Sequence, residues 1–108
     1  MPPPAPADPT PRGFRVSKTA SATVTIANKL GLHARPAMLF VETASGYAAT
    51  VTVRRMDHSE TVDGKSIMQM MVLAATQNTE IEITASGDDA DDAVRELVSL
   101  VKSGFNED

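Results

Sequence analysis

The sequence predicts an α+β fold, an open-faced β-sandwich in which a four-stranded antiparallel sheet carries three helices on one face in the order βαββαβα. Three observations predict it. Four short segments alternate polar and apolar residues with the period of a half-buried strand. Three others carry a single apolar stripe at helical spacing. The two patterns interleave along 108 residues, 42% of them hydrophobic, which is enough for one core and leaves no room for a second domain. Alternating strands bury one face and singly amphipathic helices bury one stripe, so the helices belong together on the apolar side of the sheet.

The elements follow in order. Six of the seven prolines fall between Met1 and Pro11. Their neighbours there offer too little apolar surface to fold, so residues 1–19 are expected to form a disordered proline-rich extension and residues 20–108 the domain. From Ala22 the chain alternates, with Ala22, Val24 and Ile26 on one face and Thr23 and Thr25 on the other, until Asn28 to Gly31 interrupts the strand. Ala34 to Ala44 reads as a helix with Ala34, Ala37 or Met38, Val41 and Ala44 along one side. Pro36 is tolerated only in a first turn, which sets the start near His33, and Gly46 offers a left-handed stop. Thr50 to Met56 is a strand with Val51 and Val53 inward, turning through Asp57 to Ser59 into a short partner at Glu60 to Val62. Ser66 to Leu73 is a short helix whose Ser66 and Gln69 have capping-box spacing, with Met70 and Leu73 in the core. Glu80 to Ala85 alternates again around Ile81 and Ile83. The last helix, Asp89 to Ser103, buries Ala90, Ala93, Val94, Leu97, Leu100 and Val101. Its acidic start and Lys102 near its end match the helix dipole, and Gly104 can end it.

Composition removes several classes of function. There is no cysteine, hence no disulfide, thiolate nucleophile or thiolate zinc site, and two histidines argue against a dedicated metal centre. The aspartates between Asp88 and Asp92 are explained by the helix dipole rather than by a cation. The net charge is −4, and nine of the fourteen acidic residues lie between Glu80 and Asp108. Neither a basic stripe nor interleaved aromatics appears, so nucleic acid is not an expected partner. No apolar run suits a membrane span or a secretory signal, which makes the cytoplasm the expected compartment.

The chemistry concentrates in Gly31-Leu32-His33-Ala34-Arg35-Pro36. A histidine here sits where a loop becomes the first turn of a helix, among unpaired backbone N–H groups that attract anions. Arg35 can add a charge-assisted contact to phosphoryl oxygens, and an imidazole is nucleophilic near neutral pH. Local chemistry alone supports equally well a plainer reading, in which His33 caps the helix and Arg35 is a solvated charge. Gly64-Lys65-Ser66 is not a P-loop, because the position five before Gly64 holds Ser59 rather than glycine. On local grounds Ser66 is first an N-cap. His58, beside Asp57, is a solvated turn residue.

The segment Gly31 to Ala37 resembles the active-site signature of the HPr phosphocarrier family, and Gly64-Lys65-Ser66-Ile67-Met68 resembles that family's regulatory-serine segment. The likeness runs over residues 20 to 105. It implies a stoichiometric carrier rather than an enzyme, with no cofactor. His33 would take a phosphoryl group on Nδ1 from enzyme I, which draws it from phosphoenolpyruvate, and pass it to sugar-specific IIA components. Arg35 would steady the phosphate. The resemblance further implies that an HPr kinase/phosphorylase acts on Ser66 and that Ile67, Met68 and Met71 form an exposed partner-binding patch, a use that suits flexible methionines. A phosphate on Ser66 would be tolerated by its helix while adding charge to the docking face. An alternative role is a regulatory interaction module switched at Ser66, and nothing in the chain demands more than a monomer. Two features depart from the family pattern. Glu42 and Ser45 stand where many members carry basic residues on the first helix, and the proline-rich extension is additional.

Overall fold

A computed structural model describes residues 18–107. Its elements are β1 (Thr19–Thr25), α1 (Ala34–Ser45), β2 (Thr50–Arg55), β3 (Thr61–Asp63), α2 (Ile67–Leu73), β4 (Glu80–Ser86) and α3 (Ala90–Lys102), followed by a 3-10 turn at Gly104–Asn106. The expected α+β order is present, and the four strands form one sheet in the order β1-β4-β2-β3 with every neighbouring pair antiparallel. The expected extension falls largely outside the described residues. Thr19, however, already pairs with Ser86, and the Lys18 carbonyl accepts the Gly87 N–H at 2.8 Å. Among the described residues no helix is long and apolar enough to cross a membrane.

The register explains why one face is covered and the other is not. Ala22, Ile83, Val53 and Val62 form one row across the sheet, flanked by rows holding Val24 with Ile81 and Ala85 with Val51. The alternate rows are polar: Thr23, Glu82, Arg54 and Thr61, then Ser21, Thr84, Thr52 and Asp63. Because side chains alternate along every strand, the apolar rows face the helices and the hydroxyl and charged rows face outward. Ser21 and Thr84 share a hydrogen bond at 3.0 Å on the outer face, and Arg54 pairs with Glu82.

Each helix buries the stripe its sequence supplies, with two corrections. α1 buries Pro36, Ala37, Phe40 and Ala44, whereas Ala34 is exposed and Val41 only half-buried. The large Phe40 ring turns the helix toward itself, and Gly64 leaves room for it: a Cβ there would lie 2.6 Å from Val51 Cγ1 and 3.2 Å from Phe40 Cε1. Gly46, expected to be left-handed, has φ −74°. The last turn of α1 tightens instead, the N–H groups of Gly46 and Tyr47 donating to the carbonyls of Thr43 and Ala44, both at 3.1 Å. α3 buries Ala90, Ala93, Val94, Leu97 and Val101 against β1 and β4, with Leu100 half-buried. Asp89 does more than match a dipole. Its carboxylate accepts the N–H groups of Ala48 and Ala49 at 2.8 and 2.9 Å, pinning the α1–β2 loop to the start of α3.

Candidate functional site

His33 occupies the N-cap position of α1 with extended backbone (φ −83°, ψ −169°), and its side chain makes no capping hydrogen bond. Gly31 and the end of α2 hold it there. The Leu32 N–H donates to the Ala75 carbonyl at 2.9 Å, and Gly31 is left-handed at φ +68°. A Cβ on Gly31 would stand 2.4 Å from the Ala75 carbonyl oxygen, so only glycine lets the loop lie this close to α2's C-terminal end. Beyond His33 the amides of Ala34 and Arg35 have no carbonyl one turn back to bond, and Pro36 has no N–H to leave unpaired. Pro36 therefore costs the helix nothing where sequence reasoning placed it.

The imidazole is partly exposed, its side chain at 36%, in an open cleft of about 560 Å³ lined by Lys29, Leu30, His33, Ala34, Arg35 and Glu107. Arg35 is exposed and makes no ion pair among the described residues, leaving its guanidinium available to an incoming anion. Two charged residues of this cleft were not found from the sequence. Lys29 adds a second cation, and Glu107 accepts a hydrogen bond from His33 Nε2 at 3.1 Å. Glu107 also accepts from Asn28 Nδ2 at 3.0 Å. Asn28 is completely buried and spends its other amide hydrogen on the Gly31 carbonyl at 2.8 Å, so its orientation is set by two acceptors. The Glu107 carboxyl is held below the usual carboxylate range, first by the bond from His33 and then by that from Asn28. Burial of Phe105 brings this carboxylate back to the loop. The only local signal was an aromatic residue after Gly104, out of place in a solvated tail.

Ser66 is the N-cap of α2, its Oγ accepting the Gln69 N–H at 3.2 Å. The expected capping box is altered: Gln69 Oε1 accepts from the Asp63 N–H at 2.8 Å, while the Ser66 N–H donates to the Asp63 carbonyl. Ser66 lies away from His33. The C-terminal end of α2 meets the His33 loop, whereas at its N-terminal end Lys65 Nζ reaches the Tyr47 carbonyl beyond α1. Seven residues of helix, about 10 Å, separate the two ends. Met70 and Leu73 are buried as expected, and Ile67, Met68 and Met71 are exposed, Met68 at 78%. Val72 is equally exposed and extends the apolar surface.

A one-sided α+β sandwich with a histidine at the open end of its first helix is the architecture of a phosphocarrier domain, and comparison with known proteins agrees. The family model for the PTS HPr component phosphorylation site matches residues 20–103. The chain belongs to the HPr family of phosphotransferase-system phosphocarriers. It is 46% identical over 84 residues to phosphocarrier protein HPr of Pseudomonas aeruginosa, covering 78% of this chain and 92% of that one. It is 37% identical over 90 residues to phosphocarrier protein NPr of Escherichia coli, covering 83% and 99%. The crystal structure of HPr-C-His from Thermoanaerobacter tengcongensis superposes with a TM-score of 0.77 at 42% identity, covering 82% of this chain and 98% of that one.

Proposed function

We propose that the protein is a cytoplasmic phosphoryl carrier that accepts a phosphoryl group on His33 from phospho-enzyme I and passes it to IIA components. One observation carries this reading: the His33 imidazole stands uncapped at the N-terminus of α1, in a cleft lined by Lys29 and Arg35. In the transfer a ring nitrogen of His33 attacks phosphorus while the donor's P–N bond breaks, and the donor imidazole keeps the bonding pair. The free amides of Ala34 and Arg35 and the two cations receive the phosphoryl oxygens, placing fixed positive charge where negative charge arrives. The N–P bond formed is as labile as the one broken, so the group can move on. Ser66 would be the regulatory site of an HPr kinase/phosphorylase, and Ile67, Met68 and Met71 the apolar part of the docking face.

Incubation with enzyme I and phosphoenolpyruvate tests the reading. Wild-type protein is expected to gain one acid-labile phosphate, and His33→Ala none, with its melting temperature close to wild type because the ring is partly exposed. Arg35→Ala is expected to slow uptake without abolishing it, since the amides remain. Full phosphorylation of His33→Ala would refute the assignment.

A further inference from the structure

We propose that Arg55 is a positioning residue for phosphoryl transfer: its guanidinium holds the C-terminal end of α2, on which the loop carrying His33 rests. The inference rests on the carrier reading of His33 and adds to it a residue from the end of β2.

Arg55 stands where strand periodicity calls for an apolar side chain. Val51, Val53 and Arg55 share the inner face of β2, and Arg55 lies opposite Ile81 in the row that also holds Val24. A cation on the helix-covered side of a sheet needs partners, and the side chain of this one is only 19% exposed. Nε and Nη2 donate to the two carboxylate oxygens of Asp57 at 3.0 and 2.9 Å, a fork that fixes the plane of the guanidinium. Nη1 is left to donate to the carbonyls of Ala74 at 3.2 Å and Leu73 at 3.4 Å.

Those carbonyls end a helix that supplies no charge of its own there. α2 has no basic residue in its last turn, and its C-cap, Ala74, is left-handed at φ +55°, a conformation unfavourable for alanine. The next residue, Ala75, is buried, and its carbonyl accepts the Leu32 N–H at 2.9 Å, one residue before His33. Arg55 and Leu32 thus bond consecutive carbonyls of a single turn. Without the guanidinium, Ala74 can relax and the Ala75 carbonyl moves with it, taking the loop along. Transfer is sensitive to such a shift, because the attacking nitrogen has to meet phosphorus in line and at close range. Arg55 is not among the residues lining the His33 cleft, so it acts through this turn and not on the phosphoryl group.

The test uses the full-length chain with phospho-enzyme I as donor, kcat and KM being measured separately. Arg55→Met keeps the reach of the side chain and removes its charge and donors. It is expected to lower kcat about three- to tenfold with KM within about twofold of wild type, and to speed hydrogen exchange at the Leu32 amide about tenfold. Arg55→Lys, which keeps a charged donor, is expected to recover most of both. Asp57→Asn breaks the fork at a residue 61% exposed, and is expected to move kcat and Leu32 exchange in the same direction by about twofold; it decides the matter if Arg55→Met does not fold. Asp89→Asn loosens the α1–β2 loop instead, and as the control for lost stability it is expected to keep wild-type kcat and Leu32 exchange. Wild-type kcat in Arg55→Met overturns the proposal, as does slow transfer with Leu32 exchange unchanged. A rise in KM at constant kcat also overturns it, since Arg55 would then serve partner docking. Equal slowing in Asp89→Asn does the same, because kcat would then follow stability alone. Wild-type protein that takes up no phosphate refutes the carrier reading instead, while Leu32 exchange in the variants still decides whether Arg55 holds the turn.

Discussion

Gly31→Ala is expected to damage this domain out of proportion to one added methyl group. The backbone at Gly31 sits at φ +68°, and a left-handed alanine costs about 1 kcal/mol. That cost alone is tolerable. The larger effect is steric, since the new Cβ would lie 2.4 Å from the Ala75 carbonyl oxygen and 2.8 Å from Thr76 Cα, and both are backbone atoms that cannot rotate away. The loop must lift from α2, which breaks the Leu32 N–H bond to Ala75 and leaves buried polar groups unpaired for about 1–3 kcal/mol more. The sum, about 2–4 kcal/mol, is a large share of the 5–15 kcal/mol that typically holds a domain together. For a domain of this size it corresponds to a fall in melting temperature of roughly 10–25 °C. Because the same loop carries His33 and the Gly31 carbonyl that orients Asn28, phosphoryl uptake is expected to slow even in the folded fraction. Gly46→Ala is the matched control. Gly46 is right-handed, and its nearest contact would be Thr43 O at 3.4 Å, so alanine there is expected to be neutral or stabilising by up to about 1 kcal/mol. Thermal melts and uptake rates of the two variants decide the matter. A Gly31→Ala protein melting within a few degrees of wild type would show that the loop does not depend on this close approach.

Four further outcomes follow, three of them from named contacts. Ser66→Ala removes the acceptor for the Gln69 N–H and is expected to cost about 1 kcal/mol, read by urea denaturation. Ser66→Asp keeps an acceptor and is expected to hold its stability while slowing His33 phosphorylation, by setting charge beside Ile67 and Met68; wild-type speed would leave Ser66 with its capping role alone. The Asp89 carboxyl is held below the usual range, chiefly by the Ala48 N–H, so its stabilisation is present above the unfolded pKa and is lost as pH falls through the lower folded value. Asp89→Asn is accordingly expected to melt below wild type at neutral pH, with the gap closing below about pH 4, and a gap independent of pH would refute the ionic basis. Removing residues 1–17 is expected to leave melting temperature and uptake unchanged on compositional grounds, whereas a cut reaching Lys18 would take away the carbonyl that accepts the Gly87 N–H.

What the sequence determined by itself was whatever depends on neighbours a few residues apart. Strand periodicity placed Val51, Val53, Ile81 and Ile83 inward, Pro36 set the start of α1 beside His33, and Ser66 with Gln69 marked the start of α2; all of these stand in the structure. Each is a local property, because pleat, helical spacing and capping act within a turn or two of chain. The tertiary structure alone decided how distant groups meet. Local spacing admitted several faces for α1, and the bulk of Phe40 selected one. Asp89 reads as a dipole partner until the fold brings Ala48 and Ala49 to it from 41 and 40 residues away. Glu107 joins His33 across 74 residues and Asn28 across 79. No periodicity encodes such contacts, since they arise only when burial of Phe105 turns the end of the chain back onto the loop where the first helix begins.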